Sequence, residues 1–135
     1  MTNSLDRLMP EIATVVRDLP VFQEVGGHHA PVPFFVTAAM FGELGFEVAG
    51  GEISDKVDTP VADPHTHDIP EIYLLLAPEP GGAVIDVLAD GEHHELSAPA
   101  AMFIPAGTVH RFVTKKAMPG SYCLGLLMTG MRKHR

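Results

Sequence analysis

The stretch Asp63-Pro-His-Thr-His-Asp-Ile-Pro-Glu71 places two imidazoles and a carboxylate within a few residues of one another. Successive side chains of a strand point to opposite faces, so His65 and His67 project to the same side and form a chelating pair. Pro70 has no backbone N–H to give to a ladder, and the resulting break allows Glu71 to be re-aimed at the head of the next strand. The pattern therefore predicts three converging ligands.

A fourth candidate ligand follows downstream, in Pro105-Ala106-Gly107-Thr108-Val109-His110. Pro and Gly predict a tight turn here, after which the chain re-enters a strand at His110. Burying three imidazoles and a carboxylate without partners is costly, so these groups must be hydrogen-bonded, ion-paired or coordinated. A metal ion satisfies all four groups, and a metal-free histidine cluster held by hydrogen bonds is the alternative.

These two segments resemble the two motifs of the cupin superfamily, in its small single-domain (monocupin) form. The first motif of that family carries His-x-His, three or four residues, Glu, six residues and Gly, and the second carries Pro-x-Gly, two residues and His. The ligand positions of both motifs are filled here by His65, His67, Glu71 and His110. The chain departs from the motifs at four positions that do not bind the metal in the family, which are Thr59, Pro78, Pro99 and Thr114.

The resemblance implies that three histidines and one glutamate hold one divalent transition-metal ion inside a barrel. Fe2+ is the first choice, and Mn2+, Ni2+, Co2+ and Zn2+ stay open because affinity order does not choose among them. In the family this ligand set serves dioxygenases above all, which makes a dioxygenase-type oxidoreductase acting on a small oxygenated or anionic molecule the leading function. An isomerase, lyase or decarboxylase that uses the ion as a Lewis acid is one alternative, and a non-catalytic module that binds a small ligand through the metal is another.

Composition limits the remaining possibilities. The 135 residues predict one domain with a single core, and clusters of the twelve Pro and thirteen Gly are typical of many short strands joined by turns. A net charge of −8 argues against a nucleic-acid partner. The single cysteine, Cys123, lies in an apolar run and is expected to be a buried structural thiol. Without a signal peptide or a long apolar run, the chain is expected to be cytoplasmic, with no membrane segment.

The chain is expected to begin with a short N-terminal helix or arm over residues 1–20, followed by one barrel domain over 21–135. Helical spacing relates the apolar residues Leu5, Leu8, Met9, Ile12, Val15 and Val16, and Ser4 can cap the helix. Because Pro10 removes a hydrogen bond from a helix interior, we expect the helix to begin near Met9. Residues 21–33 are predicted to form a loop.

Alternating patterns and turn residues predict strands at 34–41, 44–53, 72–77, 83–89, 92–96, 101–104, 110–115 and 121–128. Asp90-Gly91 between two of them is typical of a hairpin turn. About eight short strands with one leading helix predict an all-β fold, a small antiparallel barrel or jelly roll.

Alternation from Glu71 and His110 places Tyr73 and Phe112 on the metal side, where they would line a pocket or pack in the core. Tyr73 is the one candidate catalytic residue, in a pocket-lining role. The same alternation directs Arg111 away from the metal, so it is not expected to take part in catalysis.

Two further histidine pairs have less specific patterns. His28 and His29 follow a double glycine and could form a second metal contact, a substrate-side loop or only a solvated loop. His93 and His94 lie among glutamates and are expected on a solvated edge.

The segments 74–76 and 121–128 carry more apolar side chains than one small barrel interior can take, which predicts a homodimer.

Overall fold

The computed structural model describes residues 9–42 and 44–131, and the strands within these ranges pair antiparallel. The strands are β1 (Val21–Gln23), β2 (Val32–Val36), β3 (Glu47–Glu52), β4 (Glu71–Leu76), β5 (Ala83–Ala89), β6 (Glu92–Ser97), β7 (Ala100–Ile104), β8 (His110–Ala117) and β9 (Tyr122–Leu127). They form a six-stranded sheet in the order β1-β2-β3-β9-β4-β7 and a three-stranded sheet in the order β6-β5-β8. The predicted all-β antiparallel fold is confirmed, with the hydrogen bonding divided between two sheets rather than closed into one barrel.

The core lies between the two sheets. On β4 the side chains of Glu71, Tyr73 and Leu75 are buried, and the positions between them are more exposed, as the period-two pattern predicts. Leu75 packs with Ile85 of the smaller sheet in one cluster of buried side chains. The inward face of β4 therefore carries both a core residue and the acidic residue of the metal motif.

The predicted N-terminal helix is wrong for the part of it that the structure describes. Residues 9–20 form no helix, and Met9, Ile12 and Val15 are 62%, 80% and 67% exposed. A short amphipathic segment gains most of its helical stability from packing its apolar face, and these three side chains are exposed to solvent rather than packed against the described part of the chain. Pro10 further disfavours a continuous helix. The remaining predicted helix positions, Ser4, Leu5 and Leu8, lie outside the described residues.

The loop predicted for 21–33 is also partly wrong, because it contains β1 and the start of β2. Val21 pairs with Phe34 and Gln23 pairs with Val32. A strand of three residues is too short to show a period-two pattern, and β1 is held by its neighbour rather than by its own sequence.

The hairpin at Asp90-Gly91 is confirmed, since Ala89 pairs with Glu92. Among the described residues, no helix is long and apolar enough to cross a membrane.

Candidate metal centre

Backbone pairing brings the two histidine segments together. His65 N donates to His110 O at 3.1 Å, and His110 N donates to His65 O at 2.9 Å, so the two residues form an isolated antiparallel bridge. The turn before His110 docks on the other histidine of the pair, because Gly107 N donates to His67 O at 2.8 Å. Gly107 has φ +83°, a conformation that favours glycine. The Pro-x-Gly turn therefore fixes the distance between His67 and His110.

One ring nitrogen from each of His65, His67 and His110 lies within 4.8 Å of the corresponding nitrogens of the other two. The His110 ring is 4.7 Å from that of His65 and 4.9 Å from that of His67, measured between centroids. His110 is buried at 1% exposure, whereas the other two rings are half-buried. This cluster of imidazoles could hold a metal ion.

Hydrogen bonds fix the same tautomer in all three rings. The Nδ1 atoms of His65, His67 and His110 each lie 2.8 Å from a backbone carbonyl oxygen, of Asp63, Ile69 and Thr108 respectively. A carbonyl oxygen only accepts, so Nδ1 carries the proton and donates it. In the neutral ring this leaves a lone pair on Nε2, the state that a metal requires.

The carboxylate of Glu71 lies against two of these nitrogens. Its Oε1 atom is 3.2 Å from His67 Nε2 and 3.2 Å from His110 Nε2. A metal–ligand distance of about 2.1 Å puts neighbouring ligand atoms about 3.0 Å apart in an octahedral site and about 3.4 Å apart in a tetrahedral one. Lone pairs and a carboxylate at this separation repel one another unless protons or a metal ion lie between them. The donor set therefore fits a divalent ion.

In the metal-free site, protons take the place of the ion. The hydrogen bond to Glu71 raises the pKa of His67 despite the opposing effect of burial. Burial acts to raise the pKa of Glu71, but hydrogen bonds from His110 and His67 outweigh it, and the pKa of this carboxyl lies below its usual range. Burial lowers the pKa of His65. Both shifts act in the same sense, because each favours an ionised Glu71 beside a protonated His67.

Two glycines hold the ligands in place, and the sequence analysis did not identify either. A Cβ added at Gly125 would collide with Oε2 of Glu71, and one added at Gly27 would meet the Cβ of His65 at 2.9 Å. Gly125 is opposite Tyr73 in the β4–β9 ladder, which carries its backbone past the carboxylate. Two glycines far from the motifs in sequence give no local pattern, so only the tertiary structure reveals this role.

The cluster opens into a pocket of about 800 Å³. Its lining includes His65, His67 and Glu71, together with Tyr73 and Phe112, whose ring centroids are 5.4 Å apart. Burial raises the pKa of the Tyr73 phenol, which therefore stays protonated and can donate a hydrogen bond. Tyr73 has the predicted position, and its catalytic role stays a prediction.

Arg111, His28 and His29 also line this pocket. Strand alternation directs Arg111 away from the metal, but a long flexible side chain can still border a large pocket. His28 lies in ring contact with His65 at 4.9 Å, and burial lowers its pKa. His29 Nε2 lies 3.0 Å from Asp63 Oδ1.

The loop that carries these two histidines is attached to the metal motif. Asp63 N donates to Gly27 O at 2.8 Å, and His29 N donates to Val61 O at 3.0 Å. The double-glycine segment is therefore a wall of the site rather than a free loop.

The remaining candidate residues lie outside the cluster. Nδ1 of the exposed His93 on β6 lies 2.7 Å from Asp86 Oδ2, and neither His93 nor His94 is part of the cluster. Burial raises the pKa of the Cys123 thiol to about 12, in agreement with a structural thiol.

The two antiparallel sheets form a cupin-like fold, and several solved structures superpose on this chain. A Cupin 2 conserved barrel domain protein from Salinispora arenicola is 14% identical, with a TM-score of 0.59 over 86% of this chain and 89% of the other. The polyketide cyclase RemF from Streptomyces resistomycificus is 21% identical, with a TM-score of 0.55 over 86% and 77%. AerE from Microcystis aeruginosa is 14% identical, with a TM-score of 0.58 over 81% of this chain, which spans only 45% of AerE.

At these identities the likeness establishes the fold and not the reaction. Neither a protein-family model nor a curated protein matches the sequence.

Proposed function

We propose that this chain is a metal-dependent cupin enzyme in which His65, His67, Glu71 and His110 hold one divalent transition-metal ion, with Fe2+ as the first choice. The observation that carries the proposal is the pair of 3.2 Å separations between Glu71 Oε1 and the Nε2 atoms of His67 and His110. Because the three Nδ1 atoms are already bonded to carbonyls, the Nε2 lone pairs of His67 and His110 meet this carboxylate, and His65 completes the cluster of three imidazoles.

The proposed reaction is that of a dioxygenase acting on a small oxygenated or anionic molecule. Four protein ligands leave two positions open on a six-coordinate ion, and His65, His67 and Glu71 face the pocket. When bound, Fe2+ would supply redox chemistry, and its two open positions would take either the two adjacent oxygens of a chelating substrate or one substrate oxygen beside O2. A dioxygenase places both oxygen atoms of O2 in its product, so no external reductant is needed.

The chain's own residues would orient the substrate and exclude water. Tyr73 is 5% exposed and its protonated phenol would donate a hydrogen bond to a substrate oxygen. Phe112 packs edge-on against Tyr73 and would cover one side of a planar ligand. Leu75, fully buried below Tyr73, supports this wall from the core.

The proposal is tested by oxygen consumption of Fe2+-loaded protein with a panel of catechols, enediols and 2-oxo acids. We expect uptake that depends on Fe2+ and is abolished in His65→Ala and Glu71→Ala, while His94→Ala keeps the activity of the parent chain. Turnover without O2, supported by Mn2+, Ni2+ or Zn2+, would instead assign the ion a Lewis-acid role in an isomerase, lyase or decarboxylase. Thermal shifts without any turnover would make the chain a non-catalytic binding module.

A further inference from the structure

The space between the two sheets is divided into a filled half and an open half. In the filled half, large side chains from both sheets occupy the inward positions and are fully buried, namely Leu75, Ile85, Val87 and Ile104. In the open half, four neighbouring inward positions of β3 and β9 hold small residues, and all four line the pocket: Ala49, Gly51, Cys123 and Gly125. The next inward pair, Glu47 and Leu127, borders them at one end. The pocket exists because these positions lack large side chains.

The four small residues form a flat floor. Ala49 is directly opposite Gly125, and Gly51 is directly opposite Cys123, in adjacent positions of one antiparallel ladder. The Glu71 carboxylate is next to Gly125, so the floor begins at the metal centre and extends away from it along β3 and β9. A ligand bound at the metal can therefore lie flat on this surface.

Packing within the chain does not require a glycine at position 51. A Cβ added there would meet only Pro33 Cγ, at 3.9 Å, which is ordinary van der Waals contact. Gly125 differs, since a Cβ there would displace Glu71. The missing side chain at Gly51 has one consequence in this structure, which is a wider pocket.

The walls above the floor are mainly apolar, and they include Phe22, Val32, Phe34, Ile53 and Phe112. Four charged side chains of the lining are engaged with the chain itself. Glu47 accepts from Ala38 N at 2.9 Å, Glu52 accepts from Ser54 N at 2.9 Å and from Gly120 N at 2.8 Å, and Lys56 Nζ lies 3.1 Å from Asp55 Oδ1. The pocket therefore favours a mainly apolar ligand body.

From this geometry we infer the substrate class: a flat, mainly apolar molecule of two or more fused rings that carries its two metal-binding oxygens at one end. The inference rests on the proposed function for the metal-bound end only. A pocket of about 800 Å³ lies near the upper end of the range for drug-sized ligands, about 300–1,000 Å³, and far exceeds a single ring. Gly51 is the specificity-determining position, because a side chain there would occupy the space of the second ring.

The test compares catechol with 2,3-dihydroxynaphthalene, which presents the same two oxygens on two fused rings. Dissociation constants are measured by calorimetry on Zn2+-loaded protein, where no oxidation takes place. We expect the two-ring ligand to bind at least about tenfold more tightly, because its second ring buries additional apolar surface. Equal or tighter binding of catechol would overturn the inference, and this comparison needs no variant.

Gly51→Val then locates the second ring. We expect this variant to weaken binding of the two-ring ligand about tenfold and to leave catechol within about twofold. Ser97→Val is the control, because it adds the same branched side chain at an exposed position of β6 that is not part of the lining. Equal effects of Gly51→Val on both ligands would place the second ring elsewhere and contradict the inference.

A naphthalene dye without vicinal oxygens separates the ligand shape from the metal chemistry. We expect 1-anilinonaphthalene to bind metal-free protein and to be displaced by 2,3-dihydroxynaphthalene, with weaker binding in Gly51→Val. If the protein takes up no metal but binds the dye in this way, the proposed function is wrong and the ligand class stands. If metal is bound but catechol is preferred, the proposed metal site stands and the ligand class is wrong. Failure to bind either two-ring probe also rejects the ligand class.

Discussion

His110 Nε2 lies 3.2 Å from Glu71 Oε1, at a place in the protein where His110 is only 1% exposed and Glu71 8%. The residues are on β8 and β4, in different sheets. With Nδ1 of His110 already bonded to the carbonyl of Thr108, this contact requires a proton or a metal ion between the two atoms. The same carboxylate oxygen makes an equal contact with His67, so one cation at this point satisfies three groups.

This arrangement predicts how metal binding depends on pH. The raised pKa of His67 means that a proton competes with the metal, so metal affinity falls as pH falls through that value. We expect metal to be released below about pH 5–6. The measurement is metal retention after dialysis across this range, with His94→Ala as a control that follows the parent profile. Full retention well below this range would mean that imidazoles are not the ligands.

Metal affinity should rise with pH, whereas the stability of the metal-free protein should fall as pH rises through the folded-state pKa of His67. The lowered pKa of Glu71 contributes stability above the usual carboxyl pKa, which is lost as pH falls through the folded-state value. The raised pKa of His67 contributes stability at low pH, which is lost as pH rises through its folded-state value. The increase in Tm caused by Zn2+ should therefore grow between about pH 6 and pH 8. An increase that does not change over this range would contradict the exchange of proton for metal.

Gly125→Ala should weaken metal binding without removing a ligand. The added methyl group would collide with Glu71 Oε2 and push the carboxylate away from His67 and His110. We expect a loss of about 10–100-fold in metal affinity, measured by competition with a chelator. Gly51→Ala is the control, since its Cβ would have open space on the same sheet. Equal losses in both variants would show a general effect on the sheet.

The sequence was sufficient to predict the parts of the structure that depend on local spacing. His65 and His67 are two apart, so their projection to one side could be predicted from spacing, whereas their meeting with His110 was implied by the resemblance to the cupin motifs. Period-two patterns likewise gave most strands. The helix over 9–20 was wrong because helical spacing predicts an amphipathic face but not the presence of a surface to cover it.

The contacts that complete the site could not be predicted in this way. Gly27 and Gly125 matter because of what lies beside them in three dimensions, and neither is near its neighbour in sequence. Similarly, the small residue at Gly51 makes a pocket only because Cys123 is opposite it. Long-range pairing between β3 and β9 creates both features, and no pattern within either strand specifies the other.

We propose that the chain forms a homodimer through the outer face of the larger sheet. Across four neighbouring strands of this face, paired outward positions form a row of apolar side chains: Val48, Leu126, Ile72 and Phe103. A second row contains Leu124 and Leu74, and a third contains Tyr122 and Leu76. Phe103, Tyr122 and Leu76 on this face are 58%, 40% and 39% exposed, and a flat apolar face suits packing against the same face of a second copy.

Leu76→Lys should shift this dimer toward a monomer. Light scattering should give twice 14.5 kDa for the parent chain and 14.5 kDa for the variant at micromolar concentration. Val57→Lys is the matched control, because both side chains are 39% exposed and Val57 lies beside β8 of the other sheet. A monomeric parent chain, or dissociation by both variants, would contradict the assignment of this face.

The most direct test of the metal centre is the metal content of the protein purified without chelators, together with that of three variants. We predict about one transition-metal ion per chain in the parent and in His94→Ala, and almost none in His67→Ala and His110→Ala. Circular dichroism would establish that all four proteins are folded. A folded parent chain that neither contains metal nor takes it up, or equal metal loss in all three variants, would contradict the account.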